Sequence, residues 1–162
     1  MPTDIKPPQS SARVTTQVVD VYPYRQTDAG PEFLLVRRAP DVPYAGTWRM
    51  IGGKIEDGEA AWEAAQRELA EETGLAPLRL WTLPSVNHFY EWEQDQLHLI
   101  PAFAAEVEGE PTLDDEHDAS AWVDVGMALS NMTWPEQKRL LRLTNRLLTT
   151  DDAIPSDLII DQ

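Results

Sequence analysis

The segment at residues 53–75 reads GKIEDGEAAWEAAQRELAEETGL. In it Glu59, Glu68, Glu71 and Glu72 surround Arg67, and Gly74 follows. Glu68 lies three residues before Glu71 and four before Glu72, so on a helix the three side chains share one face. Like charges at these spacings repel each other, whereas a hard divalent cation takes several carboxylate oxygens. The segment therefore predicts a helix that binds such a cation.

The bounds of this helix follow from the residues around it. We expect it to span about residues 59–73, with Asp57 as N-cap and Gly74 as a left-handed C-cap. Pro77 stops any continuation. Small apolar side chains suited to packing on a sheet lie on one face, namely Ala61, Ala64, Ala65 and Leu69.

The segment resembles the signature of the Nudix hydrolase family, G-x5-E-x7-R-E-U-x-E-E-x-G-U, where U is a bulky aliphatic residue. This match implies an α/β fold, in which a mixed β-sheet is sandwiched between helices as α/β/α and the segment forms a loop-helix-loop. It also implies an enzyme that hydrolyses the phosphoanhydride of a nucleoside diphosphate linked to another group. The matched positions are Gly53, Glu59, Arg67, Glu68, Leu69, Glu71, Glu72, Gly74 and Leu75.

The resemblance also implies roles for these residues. Glu68 and Glu72 are the expected core ligands of Mg²⁺, with Mn²⁺ as an alternative, and Glu71 either joins them or points beside them. The carbonyl of Gly52 is expected to complete the shell. Glu59 and Arg67 are expected to form an ion pair that supports the loop-helix-loop, a task that suits a bidentate contact.

A further glutamate is expected from a loop beyond the segment. Glu116 is the best candidate, as metal ligand or general base, because it stands six residues before Trp122 in LDDEHDASAWVD, residues 113–124. His117 beside it either contacts phosphate, acts in proton transfer or is merely exposed. The catalytic set that we predict is Glu68, Glu72 and Glu116, with Glu68 or Glu116 as the base. Acidic neighbours that compete with Glu116 are Asp114, Asp115 and Asp118.

Substrate selection is expected to lie outside the glutamate segment. Arg37 and Arg38 are candidates for contacts with substrate phosphates, or else face solvent. Aromatic residues can stack on a purine or pterin ring, although each could instead belong to the core. The aromatic candidates are Trp48, Phe89, Tyr90, Trp92 and Trp134.

The substrate itself is predicted from shorter matches. LLVRRAPD (residues 34–41), the Glu116–His117 pair and a last helix preceded by Asn131 and Trp134 resemble dihydroneopterin triphosphate pyrophosphatases. This implies cleavage of a nucleoside or pterin triphosphate to a monophosphate and pyrophosphate. The alternatives are hydrolysis of nucleoside diphosphate sugars or dinucleoside polyphosphates, and a catalytically weak nucleotide sensor.

The rest of the chain predicts one domain over residues 13–149, between a mobile arm at 1–12 and a tail at 150–162. The tail either packs on a partner subunit, as in a homodimer, or is loose. Pro101 suggests an edge or a bulge in its strand, and Pro135 starts the last helix. The predicted strands begin at residue 13 and then cover 32–38, 48–51, 78–86, 87–92, 97–107 and 119–125.

Composition limits the class of partner. The formal net charge is −15, which argues against binding to a nucleic-acid polymer. The same charge would repel an anionic phosphate substrate unless a bound cation inverts the local field. The charge suits either an ordinary acidic protein or a high-salt cytoplasm. With no cysteine, no long apolar run and no signal-peptide core, we expect a cytoplasmic protein that binds no membrane.

Overall fold

Five strands precede the first helix of the chain, and three more strands separate it from the last two helices. The computed structural model describes residues 12–150 and 154–161, so the predicted arm lies outside it except for Ala12. The strands are β1 (Arg13–Thr15), β2 (Val18–Thr27), β3 (Gly30–Arg38), β4 (Trp48–Arg49), β5 (Ile51–Lys54), β6 (Arg79–Glu91), β7 (Gln96–Glu106) and β8 (His117–Val123). The helices are α1 (Ala61–Thr73), α2 (Val125–Asn131) and α3 (Pro135–Thr149), followed by a short 3₁₀ helix (Ser156–Leu158).

The eight strands form one mixed sheet. Its main path runs β1-β7-β2-β3-β4, with β5 paired to β2, β6 to β7 and β8 to β3. The pairs β1–β7 and β2–β7 are parallel, whereas β2–β3 and β6–β7 are antiparallel. The first hairpin turns through Asp28 and Ala29, as the polar stretch between the strands predicted.

Alternation along β2 separates two cores. Val19 and Val21 face one side and pack with α1, whereas Tyr22 and Tyr24 face the other side and pack with α2 and α3. The predicted α/β/α arrangement is therefore confirmed. The α1 side includes Leu34, Ile51, Ala64, Ala65, Leu69 and Phe103, and the other includes Phe33, Leu35, Trp81, Ala128, Leu140 and Leu141.

Helix α1 begins later than predicted. Its N-cap is Ala60, so Asp57 as N-cap is wrong. Gly58 turns the chain with φ 78° directly after Asp57, and the Glu63 side chain accepts the Ala60 N–H at 2.8 Å from within the first turn. At the other end Gly74 has φ 69°, which confirms the left-handed C-cap.

The β6–β7 hairpin differs from the prediction in two respects. One strand, β6, replaces the two expected over residues 78–92, with an irregularity between Thr82 and Val86. Pro101 pairs with Val86 beside that irregularity, so a bulge is present, but β7 lies between β6 and β2 and is not an edge. Three residues of β6, 83–85, lie opposite Ala102 alone, so β6 carries two additional residues here.

The strand expected from residue 13 is divided into β1 and β2, and α2 was not predicted. α2 is short, and its N-cap Asp124 accepts the Met127 N–H at 2.8 Å. In the tail, Ile160 donates its N–H to the Leu80 carbonyl at 2.9 Å, so this part packs on its own chain. Within the described ranges, no helix is long and apolar enough to cross a membrane.

Candidate active site

Two glycines bring the backbone of β5 close to the glutamate helix. A Cβ on Gly53 would overlap the carboxylate of Glu68 on α1. On Gly52 it would come within 2.9 Å of both the Arg49 guanidinium and the Val19 carbonyl. Only glycine permits such close approach, so this junction lets the Glu68 carboxylate lie directly against the strand.

Arg67 joins the loop, the helix and the end of β5. Its Nε and Nη2 donate to the two Glu59 oxygens at 2.7 and 3.0 Å, and Nη2 also donates to the Lys54 carbonyl at 2.7 Å. Glu59 in turn accepts the Glu56 N–H at 3.1 Å. The hydrogen bonds from Arg67 lower the pKa of the Glu59 carboxyl. This geometry suits the supporting role that the sequence predicted for the pair.

The three helix glutamates differ in their surroundings. Glu72 is only 4% exposed, and its Oε2 has no hydrogen-bond partner among the described residues. Burial raises the pKa of Glu72 to about 8, partly offset by Arg49. Burial also raises the pKa of Glu68, which Arg67 opposes from 3.0 Å. Glu71 is 57% exposed and pairs with Arg67 at 3.1 Å, so it lies at the outer rim of the group.

The loop before β8 adds two groups beside Glu72. The side chain of His117 is 1% exposed, which excludes the exposed alternative considered for it. Its Nδ1 lies 2.8 Å from Asp114 Oδ1. Potential ligand atoms of Glu72, Asp114 and His117 all lie within 4.8 Å of one another. His117 and Asp114, which the sequence suggested only as a competitor to Glu116, thus lie together beside the helix.

Glu116 itself lies slightly apart. Its side chain is 56% exposed and pairs with Arg38 at 3.1 Å. Its charge nevertheless raises the pKa of both Glu68 and Glu72, which places it near the same group. Its predicted roles as ligand or base remain predictions, since the structure shows it only in this contact, which engages one of its two carboxylate oxygens.

A cavity of about 560 Å³ lies on the α3 side of the sheet. Phe89 and Trp134 line it, as expected for a stacking platform, and Tyr44 packs edge-on against Trp134 with the ring centroids 5.5 Å apart. Tyr90 is not among the lining residues and donates its hydroxyl to Asp95 at 2.6 Å. Trp48 and Trp92 do not line it either.

Arg49, which was not singled out from the sequence, joins this cavity to the glutamates. It lines the cavity, and its charge lowers the pKa of both Asp20 in the cavity and Glu72 in the cluster. Among residues 12–150 and 154–161 no carboxylate lies within ion-pair distance of it. The two predicted arginines are engaged elsewhere: Arg37 pairs with Asp118 at 2.7 Å and Arg38 with Glu116.

Polar groups at the base of the cavity were also missed. Asp20 is buried and accepts from Asn87 Nδ2 at 2.9 Å, and burial raises the pKa of Asp20 to about 6. The Oε1 of Gln137 is buried and has no partner in the described parts of the chain. The signal for Asp20 was a lone carboxylate within the apolar strand VVDVYPY. Asn87 and Gln137 carried none.

The carboxylate cluster fits a hard divalent cation. Donor atoms of Glu72, Asp114 and His117 lie within 4.8 Å of one another and one buried oxygen of Glu72 lacks a partner, whereas Glu68 and Glu71, on the same helix, lie outside this group of the described residues. A cation there would remove the repulsion among carboxylates whose burial already disfavours charge. The residues present therefore suit Mg²⁺ or Mn²⁺.

The fold and the site together define an α/β/α protein that presents an acidic helix beside a cavity large enough for a small organic ring. The chain belongs to the NUDIX domain family, whose model matches residues 14–144. This confirms the family that the glutamate segment indicated.

Individual relatives cover part of the chain. An octanoyltransferase from Myxococcus xanthus is 41% identical over 108 residues, covering 64% of this chain and 30% of that protein. An oxidized purine nucleoside triphosphate hydrolase from Danio rerio is 32% identical over 92 residues, 57% of this chain and 58% of that protein. The chain thus spans less than two thirds of either relative.

Solved structures support the same fold. A Nudix hydrolase from Listeria monocytogenes superposes with a TM-score of 0.71 at 25% identity, over 90% of this chain and 98% of that one. The dihydroneopterin triphosphate pyrophosphohydrolase of Escherichia coli gives a TM-score of 0.64 at 20% identity, over 85% and 99%. The second likeness bears on the fold alone.

Proposed function

We propose that this chain is a Nudix hydrolase that requires Mg²⁺ or Mn²⁺ and cleaves a nucleoside triphosphate or pterin triphosphate to a monophosphate and pyrophosphate. The observation that carries the proposal is Arg49, which lies between the ring-sized cavity and the buried glutamates. A substrate whose ring occupied the cavity would extend its phosphates past this guanidinium toward the glutamates. Arg is well suited to bind phosphate oxygens.

The glutamates divide the remaining work. Glu68 and Glu72 would hold the cation with the Gly52 carbonyl, while Glu71 would bind at the exposed rim. A cation bound there supplies charge to offset the phosphate oxygens and lowers the pKa of a bound water. Glu59 and Arg67 keep the helix at its distance from β5 and contribute no ligand.

Glu68 is our first assignment for the general base. Its carboxylate lies at the Gly53 junction, mostly buried and oriented by Arg67 at 3.0 Å. Glu116 is the second assignment, because its charge reaches the same cluster from an exposed loop. A base must come within hydrogen-bond reach of the water from which it takes the proton. In each candidate an arginine engages one carboxylate oxygen, Arg67 on Glu68 and Arg38 on Glu116.

The cavity accounts for the choice of a ring-bearing substrate. Phe89 and Trp134 offer apolar faces, and Asp20, Asn87 and Gln137 offer polar groups at its base. Buried polar atoms without partners are costly, so the unpartnered Gln137 oxygen favours a ligand with an N–H edge, such as a purine or pterin. The name of the zebrafish relative supports a nucleoside triphosphate.

A substrate panel with product identification tests the proposal. Nucleoside triphosphates, including oxidised purines, and a pterin triphosphate are incubated with Mg²⁺ or Mn²⁺, and the products are separated by chromatography. We expect pyrophosphate and a monophosphate from a triphosphate. If nucleotide sugars instead yield a nucleoside monophosphate and a sugar phosphate, the proposed activity is replaced by hydrolysis of nucleoside diphosphate sugars. Binding without turnover of any phosphoanhydride would leave only the sensor.

Two variants locate the chemistry. Glu72→Gln removes a charged ligand, and we expect it to abolish cation-dependent turnover. Glu116→Gln should lower turnover while nucleotide binding stays close to that of the wild type. Asp118→Asn removes a carboxylate that lies two residues after Glu116, on β8, and pairs with Arg37; it is the control and should retain the rate. Wild-type turnover in Glu72→Gln would remove the metal assignment.

A further inference from the structure

A group of three potential ligands crosses from the glutamate helix to the loop before β8. Donor atoms of Glu72, Asp114 and His117 lie within 4.8 Å of one another, although the loop is more than forty residues further along the chain. Two of the three residues are buried, and Asp114 is partly buried. The group thus contains an imidazole as well as carboxylates.

An unpartnered atom points to a missing ligand in this group. Glu72 is 96% buried, since it is 4% exposed, and its Oε2 lacks any hydrogen-bond partner in the described residues. An unpaired carboxylate oxygen in such surroundings is unfavourable without a cation or donor. Neither Asp114 nor His117 donates to it in this structure.

The surroundings of His117 resemble those of a metal-bound histidine. Its Nδ1 lies 2.8 Å from Asp114 Oδ1. This contact fixes the ring and leaves the second nitrogen to bind a metal. Metal-ligating histidines commonly hold one ring nitrogen against a carboxylate while the other binds the ion. Ser120 and Ala119 follow on β8, which pairs with β3 and anchors the end of the loop.

We propose that the cation site of this chain includes His117, oriented by Asp114, so that the site binds Mn²⁺, Co²⁺ or Zn²⁺ more tightly than Mg²⁺. Imidazole nitrogen suits these transition metals, whereas Mg²⁺ prefers oxygen ligands alone. The proposal rests on the proposed function, because it concerns the same cation site. Its test measures metal binding without substrate and is therefore independent of that function.

The direct test is pulsed electron paramagnetic resonance of the wild-type protein loaded with Mn²⁺. A nitrogen ligand gives modulation from ¹⁴N in the spin echo, and an all-oxygen site does not. We expect ¹⁴N modulation that disappears in His117→Gln and persists in His98→Gln. His98 is a matched control, since it also pairs with a carboxylate, Glu91, at 2.8 Å. Mn²⁺ bound without ¹⁴N modulation in the wild type would overturn the proposal.

Metal affinities give a second readout. By calorimetric titration, His117→Gln should lose at least about tenfold in affinity for Zn²⁺ and Co²⁺ but less than about twofold for Mg²⁺, and Asp114→Asn should lose about tenfold for Zn²⁺. Equal losses for all the metals, or none, would count against the nitrogen ligand. If His117→Gln does not fold, the wild-type spectrum still decides.

The two proposals fail separately. Hydrolysis of triphosphates together with an all-oxygen Mn²⁺ signal would retain the proposed function and reject His117 as a ligand. A ¹⁴N signal without turnover of any phosphoanhydride would do the reverse.

Discussion

Arg67 holds both carboxylate oxygens of Glu59, at 2.7 and 3.0 Å, from a position eight residues further along the chain. Because the same guanidinium also donates to the Lys54 carbonyl at 2.7 Å, the pair ties the loop before α1 to the end of β5. Gly53 is the chain neighbour of Lys54, and Glu68 is the chain neighbour of Arg67. We therefore expect the position of Glu68 against Gly53 to depend on this contact.

Glu59→Gln should therefore lower the free energy of unfolding by roughly 1–2 kcal/mol, because it removes a charged acceptor from a mostly buried bidentate pair. Glu32→Gln, in a more exposed pair with Arg25, should cost less than about 1 kcal/mol. Urea unfolding of both variants measures the difference. Equal costs would mean that the Glu59 pair is no more than a surface contact.

Gly53→Ala should abolish cation-dependent turnover while the protein stays folded. The added methyl would overlap the Glu68 carboxylate and push it away from the strand. Circular dichroism and turnover with Mg²⁺ check the two parts. Gly126→Ala on α2 is the control, because its Cβ would meet only Asp124 Oδ1 at 3.4 Å, and its rate should equal that of the wild type. An active Gly53→Ala protein would be inconsistent with a close-packed junction.

The sequence was sufficient where the pattern is local. The spacing of Glu68, Glu71 and Glu72 predicted their common helix, and Gly74 predicted where it ends, because helix periodicity and left-handed glycine caps act within a few residues. The ion pair of Arg67 with Glu59 was expected from the same segment. The strands from residue 13 onward and at 32–38 were predicted too, and both are present.

Contacts between distant segments could not be predicted in this way. Arg49 at the end of β4 and Asp20 on β2 come together only because β4 pairs with β3 and β5 pairs with β2, and each alone is an ordinary residue of a strand. The pairing of Arg38 with Glu116 depends on the register of β3 and β8, which no local pattern records. The predicted homodimer, the domain bounds and the high-salt cytoplasm stay predictions.

In cation-free protein, the raised pKa of Glu72, about 8, should make stability fall as pH rises. The folded protein binds a proton there that the unfolded chain releases near the ordinary value of 4.5, so the folded state is favoured at low pH and loses that advantage up to about pH 8. The slope is on the order of 1.4 kcal/mol per pH unit. Asp20 adds to it only up to about pH 6.

Glu72→Gln should therefore remove the slope between about pH 6 and 8 and leave only the Asp20 contribution below pH 6, while Asp20→Asn should reduce the slope below pH 6 and leave that between pH 6 and 8. Saturating Mg²⁺ should flatten the wild-type profile in the upper window, because a bound cation favours the charged carboxylate. Chemical unfolding at a series of pH values, with and without Mg²⁺, measures these profiles. An unchanged slope in Glu72→Gln would assign the titration to another group.

Trp134→Ala should weaken substrate binding and leave the chemistry of the bound complex largely intact. Trp134 lines the cavity, 43% exposed and packed edge-on against Tyr44, so that one face is open to a ring. Stacking of a base on an aromatic side chain contributes about 1–3 kcal/mol, which corresponds to a KM about 5- to 150-fold higher for a purine triphosphate with kcat nearly unchanged. Trp92→Ala is the matched control, because Trp92 is 76% exposed and does not line the cavity. Steady-state kinetics of both variants decide the matter: equal KM values would place the ring elsewhere, whereas a loss confined to kcat in Trp134→Ala would indicate that the side chain positions the phosphates rather than the base.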